Sequence, residues 1–195
     1  HIMCVRHGWR EWTAAEAAVL RQWIRNGGSL LLDGYDRYVM SAIPEGIGDG
    51  FTFVPVSQSQ GVTTAIHPHP VTAGITSLSL DWIHSSLSVG APPATTLADG
   101  PGNLPAIVAD EIRSGRVIAI SPLYTFDNAN LLEADNRPFA LQVFDWLAGP
   151  RWLRATPTEG VLAPGETRDV TIDLDATTRC GVTLQKTLTI TTNDP

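Results

Sequence analysis

The sequence predicts an α/β domain over residues 1–149, followed by a small all-β module over residues 151–195. Three observations predict this. A strand–helix–strand pattern opens the chain, a second strong helix ends at Gly149-Pro150, and all helical periodicity stops after that point. The length of 195 residues corresponds to about 1.3 domains. That leaves a surplus of about 45 residues beyond one domain of typical size.

Residues 2–5, Ile-Met-Cys-Val, read as a strand. Thr13 and Glu16 form a capping box for a helix over 13–26, with Trp12 and Ala17 at the hydrophobic-staple positions. Its apolar face reads Val19, Leu20, Trp23 and Ile24, and Asn26-Gly27-Gly28 stops it. The short apolar run at 29–33 follows at once and reads as a buried parallel strand, which completes a βαβ unit. A short helix is expected around 37–43, before Pro44, and a strand over Phe51–Val56. Further strands are expected over 83–89, 94–98, 105–111 and 116–121, the last two joined as a hairpin at Ser114-Gly115. Asp135 or Asn136 caps the second helix, with Pro138 in its first turn and Phe139, Ala140, Val143, Phe144 and Leu147 facing inward. Beyond Pro150, Val170–Leu174 and Leu184–Thr192 alternate apolar and polar residues as strands do.

Composition narrows the function. Hydrophobic residues make up 43% and charged residues 17%, as in a globular chain. Net charge is −7, against a nucleic-acid backbone as partner. No apolar run reaches the ~18 residues of a membrane span. Cys4, on the first strand, is expected to be a small buried residue, and Cys180, in a polar turn, to be exposed.

Several residues are candidates for chemistry. Asp33, Tyr35 and Asp36 lie at the carboxyl end of a parallel strand, where α/β folds bind ligands. His67 and His69 stand two apart on a Pro-locked extended segment and so on one side of it, with Asp81 and His84 the nearest further donors. A metal needs three or four ligands, so a surface loop is the simpler expectation. Asp127, Asn128, Asn130, Glu133, Asp135 and Asn136 form an oxygen-rich stretch that suits a hard cation. It lacks EF-hand spacing, and helix capping by Asp135 or Asn136 together with Asx turns accounts for most of it. A Ser121–His69–Asp33 triad can be drawn but has no Gly-x-Ser-x-Gly elbow behind it. Trp9, Trp12 and Tyr35 could form a sugar platform; Trp23, Trp146 and Trp152 read as packing residues.

Two resemblances add to this. Trp152-Leu153-x-x-x-Pro157-Thr158-x-Gly160-x-Leu162-Ala163-Pro164-Gly165, continued by Leu188 to Pro195, resembles a bacterial immunoglobulin-like repeat. That likeness implies a β-sandwich module, short of its last strand, in a secreted or cell-surface protein. Residues 2–149 resemble the class I glutamine amidotransferase-like family, a flavodoxin-like sandwich. The likeness rests on Gly27-Gly28 before an apolar strand and on His69-Pro70-Val71-Thr72-x-Gly74-Ile75. It rests further on Gly115–Ile120, then Phe126-x-Asn128, Asp135-Asn136 and Trp146-Leu147. It is similar to non-catalytic members found in gliding-motility, transport and intraflagellar-transport proteins. It implies a domain lacking its first strand and helix. The turn where active members carry their cysteine reads Leu32-Asp33-Gly34-Tyr35-Asp36, with Gly34 at or beside the nucleophile position. A related aspartate after the Gly-Arg-Val strand is replaced by Ser121-Pro122. The reading is therefore a non-catalytic interaction or scaffold fragment of a larger protein, without catalytic residues or cofactor, with a protein or glycan partner. The alternatives are an accessory region of an extracellular hydrolase, such as a peptidase, and a carbohydrate- or metal-binding module.

Overall fold

The computed structural model describes residues 2–6, 13–33, 50–90, 92–149, 153–157, 159–174 and 188–192. The chain divides into two compact units, His1–Ala148 and Gly149–Pro195.

The first unit is a mixed α/β structure around a five-stranded sheet. Strands β1 (Ile2–Arg6), β2 (Ser29–Asp33) and β7 (Gly115–Ile120) run parallel to one another, and β6 (Leu104–Ile112) and β5 (Thr95–Gly100) continue the sheet antiparallel, in the order β1-β2-β7-β6-β5. The alternation of side chains sorts the core onto two faces. Leu31, Ile118, Ile120, Ile107 and Ala109 pack with Phe139, Val143 and Leu147 of α2 (Asn136–Ala148). Leu30, Leu32, Val117, Ala119 and Val108 pack with Leu20 and Ile24 of α1 (Ala14–Arg25). Among the described residues the sheet thus carries one helix on each face.

The βαβ expectation matches β1, α1 and β2. At the start of α1 the Glu16 amide donates to Thr13 Oγ1 at 3.2 Å and the Thr13 amide donates to Glu16 Oε2 at 2.9 Å. At its end the Gly28 amide donates to the Trp23 carbonyl and the Gly27 amide to the Ile24 carbonyl, with Gly27 at φ 97°. That is the Schellman arrangement that a glycine in the left-handed region permits.

Between β2 and β5 stands a long antiparallel hairpin, β3 (Phe51–Thr63) and β4 (Leu78–Val89). Leu78, Leu80 and Ile83 join the α2 face of the core, while Phe51 and Leu87 join the α1 face.

Several expectations need correction. Cys4 is exposed, because β1 ends the strand order and the sheet covers neither Cys4 nor Met3, which point to opposite faces, on its outer side. Val19 is 72% exposed, since Ala17, Leu20 and Ile24 alone make the buried stripe of α1. Phe144 is 39% exposed, since Phe139, Ala140, Val143 and Leu147 make the buried apolar face of α2. The β6–β7 turn is Arg113-Ser114, with Arg113 at φ 58°, and Gly115 already pairs with Ile112. Gly115 is fixed by packing: a Cβ there would lie 1.9 Å from the Ile24 carbonyl oxygen.

In the second unit β8 (Leu153–Thr156) pairs antiparallel with β9 (Thr171–Leu174). Every residue of β9 is exposed, as are Val161, Leu162, Leu188 and Ile190. Residues 188–192 form no strand, and the rest of the expected 184–192 strand lies outside the described residues. Among the described residues there is no second sheet to bury these apolar groups, so the immunoglobulin-like sandwich expected over 151–195 is not what the structure presents. The expected helix at 37–43, the Gly34-Tyr35-Asp36 turn, Trp9, Trp12, Trp152 and Cys180 all lie outside the described residues.

Candidate functional site

The β3–β4 hairpin carries two irregularities close together. Its register passes from Pro55 opposite Ser85 to Ser59 opposite Ile83, so residues 56–58 of β3 face His84 alone. It then passes to Gly61 opposite Leu80, so Asp81 and Trp82 of β4 face Gln60 alone. Bulges of this kind bend a strand and re-aim side chains. Trp82 takes φ 55°, a left-handed conformation that costs a non-glycine residue about 1–2 kcal/mol.

The consequence is an outward aromatic cluster. Trp82 is 42% exposed, its ring 6.2 Å from that of Tyr124 and 5.6 Å from that of His84. Tyr124 comes from the segment that leaves the carboxyl end of β7, so two distant stretches of chain meet at Trp82. A groove of about 430 Å³ whose lining includes none of Trp82, His84 and Tyr124 runs between the irregular segment of β3 and the β5–β6 connection.

Sequence reasoning missed Trp82. Leu78, Leu80 and Trp82 alternate in the sequence as one face of a strand, so the slip that leaves Trp82 outside and puts Ile83 in the core shows only in the pairing.

The structure separates the residues that the sequence grouped. His67 Nε2 lies 2.8 Å from Asp99 Oδ2, because residues 65–67 run beside β5 with His67 N–H donating to the Leu97 carbonyl. His69 turns elsewhere. Its Nδ1 accepts from the Val71 amide at 3.1 Å and caps the 3-10 turn Pro70–Thr72, and its ring stands edge-on to Trp146 at 5.4 Å. Burial holds His69 below the usual histidine range, with Glu111 opposing and Arg116 reinforcing the shift. Arg116 itself lies 5.0 Å over the Trp146 ring and donates to the Trp146 carbonyl at 2.6 Å. The two histidines therefore serve different contacts and do not form a ligand pair.

The oxygen-rich stretch works as structure. Asp135 Oδ2 accepts from the Thr76 amide at 2.8 Å, the Thr76 hydroxyl at 2.9 Å and the Ser77 amide at 3.1 Å. These bonds, the Thr76 amide first, hold its carboxyl below the usual aspartate range. The Asp135 carboxylate thus ties down residues 76–77, while its carbonyl accepts the first helical bond, from Phe139. Asp127 Oδ1 accepts from the Asn130 amide at 2.8 Å, closing a local turn three residues on, and Asn128 is exposed beside it. Among the described residues no group of three or more His, Cys, Asp or Glu is placed to hold a metal.

Asp33 is buried at the carboxyl end of β2, and its charge, after burial, helps push the Cys4 thiol upward. Ser121 Oγ is buried without a hydrogen-bond partner among the described residues, so the Ser121–His69 link of the drawn triad is not made.

The family comparison is decided by one match. The model of a domain of unknown function, DUF4350, covers residues 5–144, well over half of the chain. The chain belongs to the DUF4350 family. The assignment of residues 2–149 to the glutamine amidotransferase-like family is corrected accordingly. The DUF4350 match stops before the second unit, and the immunoglobulin-like assignment there falls with the exposed β9 ladder. No curated protein matches the sequence.

The DUF4350 chain is similar to the solved mmIFT52 N-terminal domain at 18% identity and TM-score 0.62, covering 77% of this chain and 78% of that one. That likeness places the two in one fold. Weaker likenesses join it to the cytoplasmic protein STM3548 from Salmonella typhimurium (16% identity, TM-score 0.46, 68% of this chain and 60% of that one). The exo-beta-1,4-mannosidase Op5Man5 from Opitutaceae bacterium strain TAV5 follows at 13% identity and TM-score 0.43, with 75% of this chain against 24% of that one. No helix among the described residues is long and apolar enough to cross a membrane.

Proposed function

We propose that this DUF4350 domain is a non-catalytic interaction module of a larger protein, and that it grips a protein partner through Trp82, His84 and Tyr124. The observation that carries this is the strained, exposed Trp82. Strain at a bulky exposed residue persists where it serves a contact, and such outliers gather at binding surfaces. Tryptophan and tyrosine are also the residues that most often dominate binding energy. His69, Asp127 and Asp135, the groups first considered for chemistry, are occupied in holding backbone. In the same proposal the three-layer unit is a flavodoxin-like variant whose parallel strands continue into an antiparallel edge. The secreted or surface setting had only the immunoglobulin-like resemblance behind it.

The experiment is a peptide-display selection against the whole chain, followed by affinity measurement on variants. Trp82→Ala and Tyr124→Ala should each weaken the selected binders about 30-fold, the size of a hot-spot loss of about 2 kcal/mol. Trp82→Gly should lose binding equally while leaving Tm unchanged or raised, because glycine relieves the left-handed φ. Binders indifferent to all three variants would sink the proposal.

A further inference from the structure

The geometry points to a second site that shares no lining residue with the aromatic surface: the groove between β3 and the β5–β6 connection takes a small neutral polyhydroxylated ligand, a monosaccharide unit or polyol. Its volume of about 430 Å³ is in the range of small-molecule sites. None of its lining residues carries a charge, which selects against anions, cations and metals. Ser57, Gln58, Ser59 and Ser85 supply hydroxyl and amide groups along it, while Ile83 and Leu104 supply apolar wall. A polyol has the matching surface, with hydroxyls that both donate and accept and C–H faces between them.

The second, decisive feature is Ser85. It is fully buried, and its Oγ has no hydrogen-bond partner among the described residues. A buried hydroxyl left unmatched is costly, and such groups call for a partner that the protein itself does not supply. Ser85 stands opposite Pro55, which offers no N–H, immediately before the register breaks at residues 56–58. The unmatched hydroxyl thus sits at the edge of the irregular segment that lines the groove.

The test uses the full chain and calorimetric titration. The panel is glucose, galactose, mannose and sorbitol, against glucuronate, glucose 6-phosphate and a neutral capped dipeptide. At least one neutral sugar or polyol should bind at millimolar concentration and raise Tm in proportion to occupancy, as any native-state ligand must. Glucuronate and the phosphate should bind at least tenfold more weakly. Ser85→Ala should keep or raise Tm without ligand and weaken binding at least tenfold. Trp82→Ala should leave this binding unchanged, so the groove and the aromatic surface stand or fall separately. The inference is overturned if no neutral member binds, if the charged analogues or the dipeptide bind as well, or if Ser85→Ala binds undiminished. In that last case, or with no binding at all, Ser85 holds water only.

Discussion

Replacing Asn136 tests how the segment after β7 is held, and the structure sets the size of the effect. Asn136 is fully buried at the first position of α2. Its Nδ2 donates to the Ser79 carbonyl at 2.9 Å and the Asn130 carbonyl at 3.0 Å, with the Thr125 carbonyl further off at 3.3 Å. Its Oδ1 accepts from the Ser79 amide at 3.0 Å. One side chain therefore ties β4, the 121–135 segment and α2 together. Two donor hydrogens and one acceptor make about three effective bonds, each contributing about 1 kcal/mol net. Asn136→Ala should cost about 3 kcal/mol, which for a chain of this size is a fall in Tm of about 6–12 °C. Denaturant unfolding followed by circular dichroism measures it, with an unchanged m-value confirming that the native state is intact. Asn136→Asp sharpens the test. At an exposed helix start an aspartate is favourable by about 0.3–1 kcal/mol. Here it removes both donors and sets a buried charge against the carbonyls of Ser79, Asn130 and Thr125, so it should be worse than alanine. A loss under about 1 kcal/mol for Asn136→Ala, or Asp milder than Ala, would refute the clamp.

Three further outcomes follow from the packing and the titrations. Gly115→Ala should cost about 2–3 kcal/mol by chemical denaturation, because its methyl meets backbone at Ile24 and Gly28 and no rotamer can move away. His69 is held below its ordinary value of 6.5 by burial, so it stays neutral in the fold while the unfolded chain takes up a proton. The stability it contributes is complete above that value and is lost as pH falls through it towards the folded value. Tm should therefore drop between about pH 7.5 and 5.5, and His69→Asn, which keeps a cap for the Val71 amide, should flatten that drop. Asp135 is likewise depressed, so its stabilisation is present above the ordinary value of 3.8 and fades as pH falls below it. Asp135→Ala should lower Tm at neutral pH and remove part of the acid dependence, read from melts across the acid range.

Much of the fold was legible because local signals and packing agree. The Thr13–Glu16 box and Gly27-Gly28 set both ends of α1 from sequence alone, and the apolar runs at 29–33 and 115–120 became neighbouring parallel strands. Where the reading erred, a long-range contact had replaced a local cause. Gly115 looks like turn chemistry but is dictated by the Ile24 carbonyl, so the positive φ fell on Arg113 instead. Asp135 looks like a cap, but its carboxylate is taken by residues 76–77, almost sixty positions away. His67 and His69 share a face only if the segment stays extended. Pairing with β5 and the turn at Pro70–Thr72 send them to Asp99 and Trp146.

The candidate sites were the least legible part for a related reason. A regular strand announces itself by a period of two, and each bulge in β3 and β4 breaks that period. Residues 78–82 alternate regularly in the sequence, Leu-Ser-Leu-Asp-Trp, so the slip between Leu80 and Ile83 is visible only in the pairing, and the strand expected at 83–89 starts at Leu78. Yet that same slip leaves Trp82 exposed, and the neighbouring irregular residues 56–58 line the groove beside Ser85, whose hydroxyl has no partner among the described residues. Deleting Trp82 would leave Asp81 alone opposite Gln60 and restore the alternation there, while residues 56–58 would still face His84 alone. The deletion should remove the left-handed φ and abolish binding at the aromatic surface while binding in the groove persists, because the two irregularities are separate.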